Sequence, residues 1–247
     1  MIDSFTTEQL GDGLVLHVSP EHRFGTDAFL LAHFAAARHR DLVADLGTGC
    51  GIIPMILYKK YRPSHIWGID IQPQAIQQFS QSVMDSKLDK VLQPLCADLR
   101  SLKGLLPFDS FDLVTCNPPY ETAGSGFLSA NPAHQIARHE LCCTIEDVCQ
   151  TASQLLKTGG RFCLCHRPGR LTDVLTAMRR HRLGPKRLRF VAKDEHSAPW
   201  LFLAEGKKDA KPSLEVMPTL FISGQKGAPS AELREIYGLD SGKDVTT

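Results

Sequence analysis

Four short apolar runs between residues 42 and 116 constrain the fold more than any other feature. They are Leu42-Val43-Ala44-Asp45-Leu46, Ile66-Trp67-Gly68-Ile69-Asp70, Val91 to Ala97, and Phe111 to Cys116. Each is too short for a helix, rich in branched side chains and bounded by turn formers, so each predicts a buried strand. Helical stretches separate the first three: Ile52 to Tyr61, with Pro54 in its first turn, and Pro73 to about Met84. Strand alternating with helix implies a parallel sheet with helices on both faces. Later, a helix opening at Thr144 with Glu146 and Asp147 in its first turn ends at Gly159-Gly160 and leads to a strand from Arg161 to His166. A basic helix follows from about Leu171 to His181, and Lys186 to Ala192 with Pro199 to Ala204 predicts a closing hairpin that adds an antiparallel strand. Before the sheet lie a polar stretch expected to fray (1–12), a short strand (Leu14 to Val18), a loop whose Thr26 or Asp27 can cap a helix, and that apolar helix from Ala28 to Ala37. After Gly206 come a polar linker, an extended piece (Thr219 to Ser223), a helix (Ser230 to Tyr237) and a tail expected to be disordered.

Polar side chains gather at the ends of the four runs. Asp45, Asp70 and Asp98 close the first three, and Asn117-Pro118-Pro119-Tyr120 closes the fourth. In an open α/β sheet the carboxyl edge of the strands is where ligands sit. The two prolines stop the strand and stiffen the turn, because they fix φ and lack an N–H. This suits a particular chemistry. An exocyclic amine such as adenine N6 is a poor nucleophile, since its lone pair is delocalised into the ring. An Asn oxygen and a proline carbonyl can accept its two N–H bonds and localise that lone pair, and an aromatic ring beside them can stack on the flat substrate. A plain strand-ending turn is the bland alternative, and the residues upstream decide between them.

Gly47-Thr48-Gly49-Cys50-Gly51 follows the first strand, but Ile52 stands where a dinucleotide fingerprint has its third glycine. With the three carboxylates the loop suits S-adenosylmethionine instead. Asp70 can accept from ribose hydroxyls, Asp98 from the adenine amine, and Asp45 can favour the cationic methionyl end, while glycines let the backbone come close. No pyrophosphate need be cradled. Three solvated strand-end acids is the competing reading.

At 247 residues the chain suits one α/β domain with appendages, or two small domains. Hydrophobic residues make up 43% and charged residues 22%, which predicts a packed core rather than global disorder. No apolar stretch reaches the ~20 residues that span a bilayer, and Met1-Ile2-Asp3-Ser4-Phe5 is not the start of a signal peptide. A cytoplasmic, membrane-free protein is expected, with its eight cysteines reduced. Cys163 and Cys165 share a strand face but no second pair completes a zinc pattern, so structural thiols and no metal are expected. Net charge is +1, yet the segment Lys157 to Lys193 holds eleven basic residues against one acid, Asp173. Such a concentration suggests nucleic acid; the alternative is a solvated helix whose Arg179-Arg180-His181-Arg182 end favours the macrodipole.

Asp45-Leu46-Gly47-Thr48-Gly49-Cys50-Gly51, Asp70, Asp98 and Asn117-Pro118-Pro119-Tyr120 together resemble the class I S-adenosylmethionine-dependent methyltransferases that modify exocyclic or amide nitrogens. Within them the chain is most similar to the bacterial tRNA adenine-N6-methyltransferases acting on the anticodon-adjacent adenosine of a valine tRNA. That likeness includes Arg23-Phe24-Gly25-Thr26-Asp27-Ala28, Ala137-Arg138-His139-Glu140 and Glu235-Ile236-Tyr237-Gly238. The resemblance implies a Rossmann-like fold with a seven-stranded, mostly parallel sheet whose last strand is antiparallel. It also implies an N-terminal cap (1–40), a catalytic domain (41–206) and a C-terminal extension (207–247). By the same likeness Asn117 accepts from the target amine, Pro118 lends its carbonyl and Tyr120 stacks on the flipped base. Asp45, Gly47, Gly49, Asp70, Asp98 and Leu99 line the cofactor, with Asn117 reaching it too; Arg23 and Thr26 close over the methionyl end, and 121–140 forms a lid. The expected partner is tRNA, met by a monomer through the basic segment. Rival activities are methylation of a glutamine amide in a release factor, whose enzymes carry a helical domain ahead of the core, and DNA adenine methylation, whose enzymes carry a target-recognition region. A non-catalytic cofactor-binding RNA module, or a nicotinamide dehydrogenase on the glycine loop alone, are the readings outside that chemistry.

Overall fold

The computed structural model describes residues 5–19, 24–118, 143–224 and 227–239. Ten strands and six helices of length occupy them in the order β1 (Thr6–Gly11), β2 (Leu14–Val18), α1 (Thr26–Ala35), β3 (Leu42–Leu46), α2 (Ile52–Tyr61), β4 (His65–Asp70), α3 (Pro73–Asp85), β5 (Leu92–Cys96), β6 (Phe111–Cys116), α4 (Ile145–Leu155), β7 (Leu156–His166), α5 (Leu171–Arg180), β8 (Leu183–Ala192), β9 (Leu201–Lys208), β10 (Glu215–Phe221) and α6 (Ala231–Tyr237).

Eight strands form the central sheet in the order β10-β8-β9-β7-β6-β3-β4-β5. All run parallel except β9, which lies antiparallel between β7 and β8. The expected antiparallel strand is therefore present, and it is the last of seven. The eighth, β10, comes from the C-terminal stretch and pairs parallel along the outer edge of β8. From β3 the chain winds to β4 and β5 on one side, then crosses to β6 on the other. The crevice this reversal opens at the carboxyl ends of β3 and β6 is where an open α/β sheet binds its ligand.

Strand alternation divides the core into two layers. On one face Val43, Leu113, Cys163 and Leu203 pack under α1, α2 and α3. On the other, Ala44, Val114, Phe162 and Phe202 pack under α4 and α5. The capping box predicted for α4 is present: Thr144 Oγ1 accepts from the Asp147 N–H at 3.2 Å, and the Asp147 carboxylate accepts from the Thr144 N–H at 2.8 Å.

Four local expectations change. Residues 6–11 are not frayed: they pair with β2 as a hairpin, which is tied to α3 by His17 N–H and Val15 N–H donating to Ser82 Oγ at 2.8 Å and Ser86 Oγ at 3.0 Å. A polar strand with only one partner shows no apolar alternation to read. Neither Thr26 nor Asp27 caps α1, which begins at Thr26 with Gly25 as its N-cap. Helix α4 stops at Leu155, before Gly159-Gly160, and β7 starts at once, because Leu156 is needed against Phe111 where the β6–β7 register slips. The polar linker after Gly206 starts later, since β9 runs to Lys208.

Candidate active site

The Gly47–Gly51 loop leaves β3 and is stitched to β4. Gly47 and Thr48 N–H groups both donate to the Ile69 carbonyl at 2.9 Å, and Gly49 N–H donates to Asp70 Oδ2 at 2.8 Å. Asp70 Oδ1 accepts from Gln72 N–H at 3.0 Å. Gly47 and Gly49 have φ of +70° and +56°, and a Cβ on either would meet nothing within 4 Å, so the loop presents open backbone to the crevice. Gly51 differs: a Cβ there would lie 2.0 Å from the Phe79 ring, so its glycine serves packing.

Asp45 is fully buried. Its Oδ1 accepts from the Thr115 hydroxyl at 2.6 Å, while Oδ2 finds no hydrogen-bond partner among the described residues. Burial pushes its carboxyl up from the ordinary 3.8 to about 7, against the lowering effects of the Thr115 hydroxyl and of the nearby Thr48 hydroxyl, which lies close without making a hydrogen bond of good geometry. A buried carboxylate oxygen without a donor is costly unless a cation arrives.

Thr115 precedes Asn117 by two residues, which puts both on the same face of β6 as Asp45 on β3 and Cys165 on β7. Asn117 is half-buried, and its Oδ1 accepts from the Cys165 thiol at 3.1 Å. Thr115 and Cys165 are additions to the expected set, because their partners lie 70 and 48 residues away in the chain.

Asp98 follows β5, and Ala97 N–H donates to the Asp70 carbonyl, which holds it at the same edge. Its carboxylate is gripped by Arg100, with Nη2 to Oδ2 at 2.6 Å and Nε to Oδ1 at 3.0 Å, and this hydrogen-bonded guanidinium holds it below the usual carboxylate range. The Leu99 carbonyl accepts from Thr151 Oγ1 at 3.0 Å, so α4 fixes that turn. Arg161 donates to the Ala35 and Ala36 carbonyls, which sets the C-terminal end of α1 near the start of β7's parallel run. The Thr26 hydroxyl accepts from Tyr237 Oη at 3.1 Å, which ties the start of α1 to α6. Arg23, Tyr120 and the expected lid 121–140 lie outside the described residues.

A methyltransferase domain model matches residues 40–182, more than half the chain. The chain belongs to the methyltransferase domain family. Its matched region runs from just before β3 through α5, and so contains the glycine loop, all three carboxylates and Asn117. This methyltransferase is 29% identical over 189 residues to the tRNA1(Val) (adenine(37)-N6)-methyltransferase of Porphyromonas gingivalis, covering 74% of this chain and 73% of the relative. It is 29% identical over 161 residues to the enzyme of that name from Proteus mirabilis, covering 65% and 62%. Among solved structures it is similar to one described as a predicted O-methyltransferase from Agrobacterium tumefaciens, with TM-score 0.70, 20% identity, and 86% and 95% of the two chains covered.

The basic segment needs correction. Among the described residues, seven of its eleven cations pair with carboxylates: Lys157 with Asp112, Arg161 with Asp41 and Glu205, Arg170 with Asp173, Arg180 with Glu146, Arg182 with Asp209, Arg187 with Glu205 and Arg189 with Glu232. Six of those seven draw on acids outside the segment, so charge concentrated in sequence is largely neutralised in space. Cys50, Cys116, Cys149, Cys163 and Cys165 are buried. Among the described residues no three His, Cys, Asp or Glu side chains gather as a metal site, and no helix is long and apolar enough to cross a membrane.

Proposed function

We propose that this chain is an S-adenosylmethionine-dependent N-methyltransferase that forms N6-methyladenosine in tRNA. The observation that carries the cofactor is Asp45: a fully buried carboxyl whose Oδ2 lacks a donor, beside two glycines whose faces are open. That combination fits a ligand bringing a cation close to backbone. Bound there, S-adenosylmethionine supplies a methyl group on a sulfonium. Asp45 receives the methionyl end, with Arg23 and Thr26 closing on it; Asp70 takes the ribose hydroxyls, and Asp98 with Leu99 takes the adenine once Arg100 releases the carboxylate.

The target amine is handled by Asn117 and Pro118. Asn117 Oδ1 accepts one N–H and the Pro118 carbonyl the other, which localises the nitrogen lone pair, and Tyr120 stacks on the base. Positioning and desolvation supply most of the rate. No strong base is needed, because the ammonium product is acidic and loses its proton to water. Extruding the adenosine from a stacked anticodon arm costs a few kcal/mol, offset by phosphate contacts from the cations that remain outside carboxylate pairs. The names of the relatives support tRNA as the substrate class, and a tRNA substrate places the work in the cytoplasm. The proposed organisation is a catalytic unit over 41–206 flanked by a cap (1–40) and an extension (207–247), acting as a monomer.

The test offers the purified protein radiolabelled S-adenosylmethionine with total tRNA, genomic DNA and release factors in parallel, then digests labelled RNA to nucleosides. Label in N6-methyladenosine is the expected result. Label in release-factor glutamine or in DNA would overturn the substrate, and no label in any of the three would overturn the reading.

A further inference from the structure

Asn117 must present its oxygen, not its nitrogen, to the target amine, and an Asn side chain at the end of a strand can turn either way. The amide ends have opposite polarity: Oδ1 accepts, Nδ2 donates. A donor aimed at an amine whose ring-delocalised lone pair accepts poorly would do nothing for the reaction. Something in the protein must therefore select the rotamer. Cys165 is placed to take part in that selection. It is fully buried on β7, one strand over from Asn117 and on the same face, and its thiol donates to Asn117 Oδ1 at 3.1 Å. The adjoining register, Cys116 opposite Leu164, makes Cys165 the residue level with Asn117. A carbonyl-type oxygen has two lone pairs, so it can accept from Cys165 and from a substrate N–H together.

We infer that Cys165 is a positioning residue for methyl transfer: its thiol holds the Asn117 amide with Oδ1 turned to accept the substrate N–H. The inference rests on the proposed role of Asn117. It explains a buried thiol at this spot, where an alanine or valine would offer no donor. The neighbouring pair repeats the design one strand across, with the Thr115 hydroxyl fixing Asp45 from the same face of β6.

Two readouts test it. The first needs no substrate. Asn117 and Asn131 are the only asparagines in the chain, so asparagine-selective isotope labelling yields two side-chain amides, and Asn117→Ser assigns the one that disappears. In Cys165→Ala the Asn117 carboxamide carbon should move upfield as its hydrogen bond is lost, and in Cys165→Ser it should stay near the wild-type position. The second readout is kinetic. Cys165→Ala should lower kcat about tenfold, the upper end of what one neutral hydrogen bond contributes, with KM and cofactor Kd unchanged. Cys165→Ser should return kcat to within about threefold of wild type. A thiol that only filled space would give no such recovery, because a serine hydroxyl without a partner is costlier to bury than an alanine methyl. An unmoved Asn117 resonance in Cys165→Ala overturns the inference, as does a serine variant that behaves like alanine. If the wild-type enzyme methylates no nitrogen, the proposed role of Asn117 falls by that result alone, and the amide resonances still report whether Cys165 holds it.

Discussion

Asp45→Asn isolates the cost of the buried carboxyl at the heart of the site. Wild-type Asp45 is wholly buried, with one oxygen bonded to Thr115 and the other without a donor, and burial pushes its carboxyl to about 7. In the unfolded chain it ionises near the ordinary 3.8. Between those two values the folded protein holds the extra proton, so stability is fully present below pH 4 and drains away as pH rises through 7. The gap corresponds to about 4 kcal/mol. Asparagine has the same shape and no charge. Its melting temperature should therefore exceed that of wild type by about 10 °C at pH 8, a chain of this size moving ~2–4 °C per kcal/mol, and the difference should vanish near pH 4. Cofactor affinity should run the other way. A bound cation keeps Asp45 ionised, so binding below pH 7 must release a proton. Wild-type Kd should then fall about tenfold from pH 5.5 to 6.5, with a proton released in calorimetry run in two buffers, and the asparagine variant should show neither. A melting difference independent of pH, or the same pH slope of Kd in both proteins, would refute the reasoning.

Other outcomes follow from the same geometry. Arg100→Gln removes the competitor for Asp98, so cofactor Kd should tighten in titration calorimetry. Glu205→Ala leaves Arg161 and Arg187 without their shared carboxylate in a largely buried network, and urea unfolding should show a loss of about 3 kcal/mol. Gly51→Ala drives a methyl into Phe79 and should destabilise the fold, whereas Gly49→Ala meets open space and bears only the strain of an alanine at φ +56°; it should lower the melting temperature less than Gly51→Ala and weaken cofactor binding. Arg179 is exposed with no carboxylate partner among the described residues, so Arg179→Gln should reduce the salt slope of tRNA binding by about 0.7–0.9. Arg189→Gln, which breaks a pair with Glu232, should lower melting temperature and leave that slope unchanged.

The central strands were legible because each buried strand is a compact apolar run closed by a turn, and because the parallel winding leaves few ways to join them. The carboxyl-edge set was legible for the same reason: Asp45, Asp70, Asp98 and Asn117 end or follow strands, so one topological rule places them together. What escaped depends on distant partners. Nothing near Thr115 or Cys165 in sequence says that one faces Asp45 and the other Asn117. The polar run Thr6–Gly11 is a strand only because β2 is there to pair with it. The eleven cations read as one surface in sequence, but Asp41, Asp112, Glu146, Glu205, Asp209 and Glu232 come from elsewhere in the chain to meet six of them. Likewise Asp98 was expected open to a ligand, and Arg100 two residues on holds it.

The most direct test of the account is a paired measurement on Asn117→Ala: cofactor binding by calorimetry, and single-turnover methyl transfer to tRNA with nucleoside analysis. Cofactor Kd should stay within about threefold of wild type while formation of N6-methyladenosine collapses. Turnover matching wild type would contradict the assigned role, and so would a loss of cofactor binding in step with the loss of turnover.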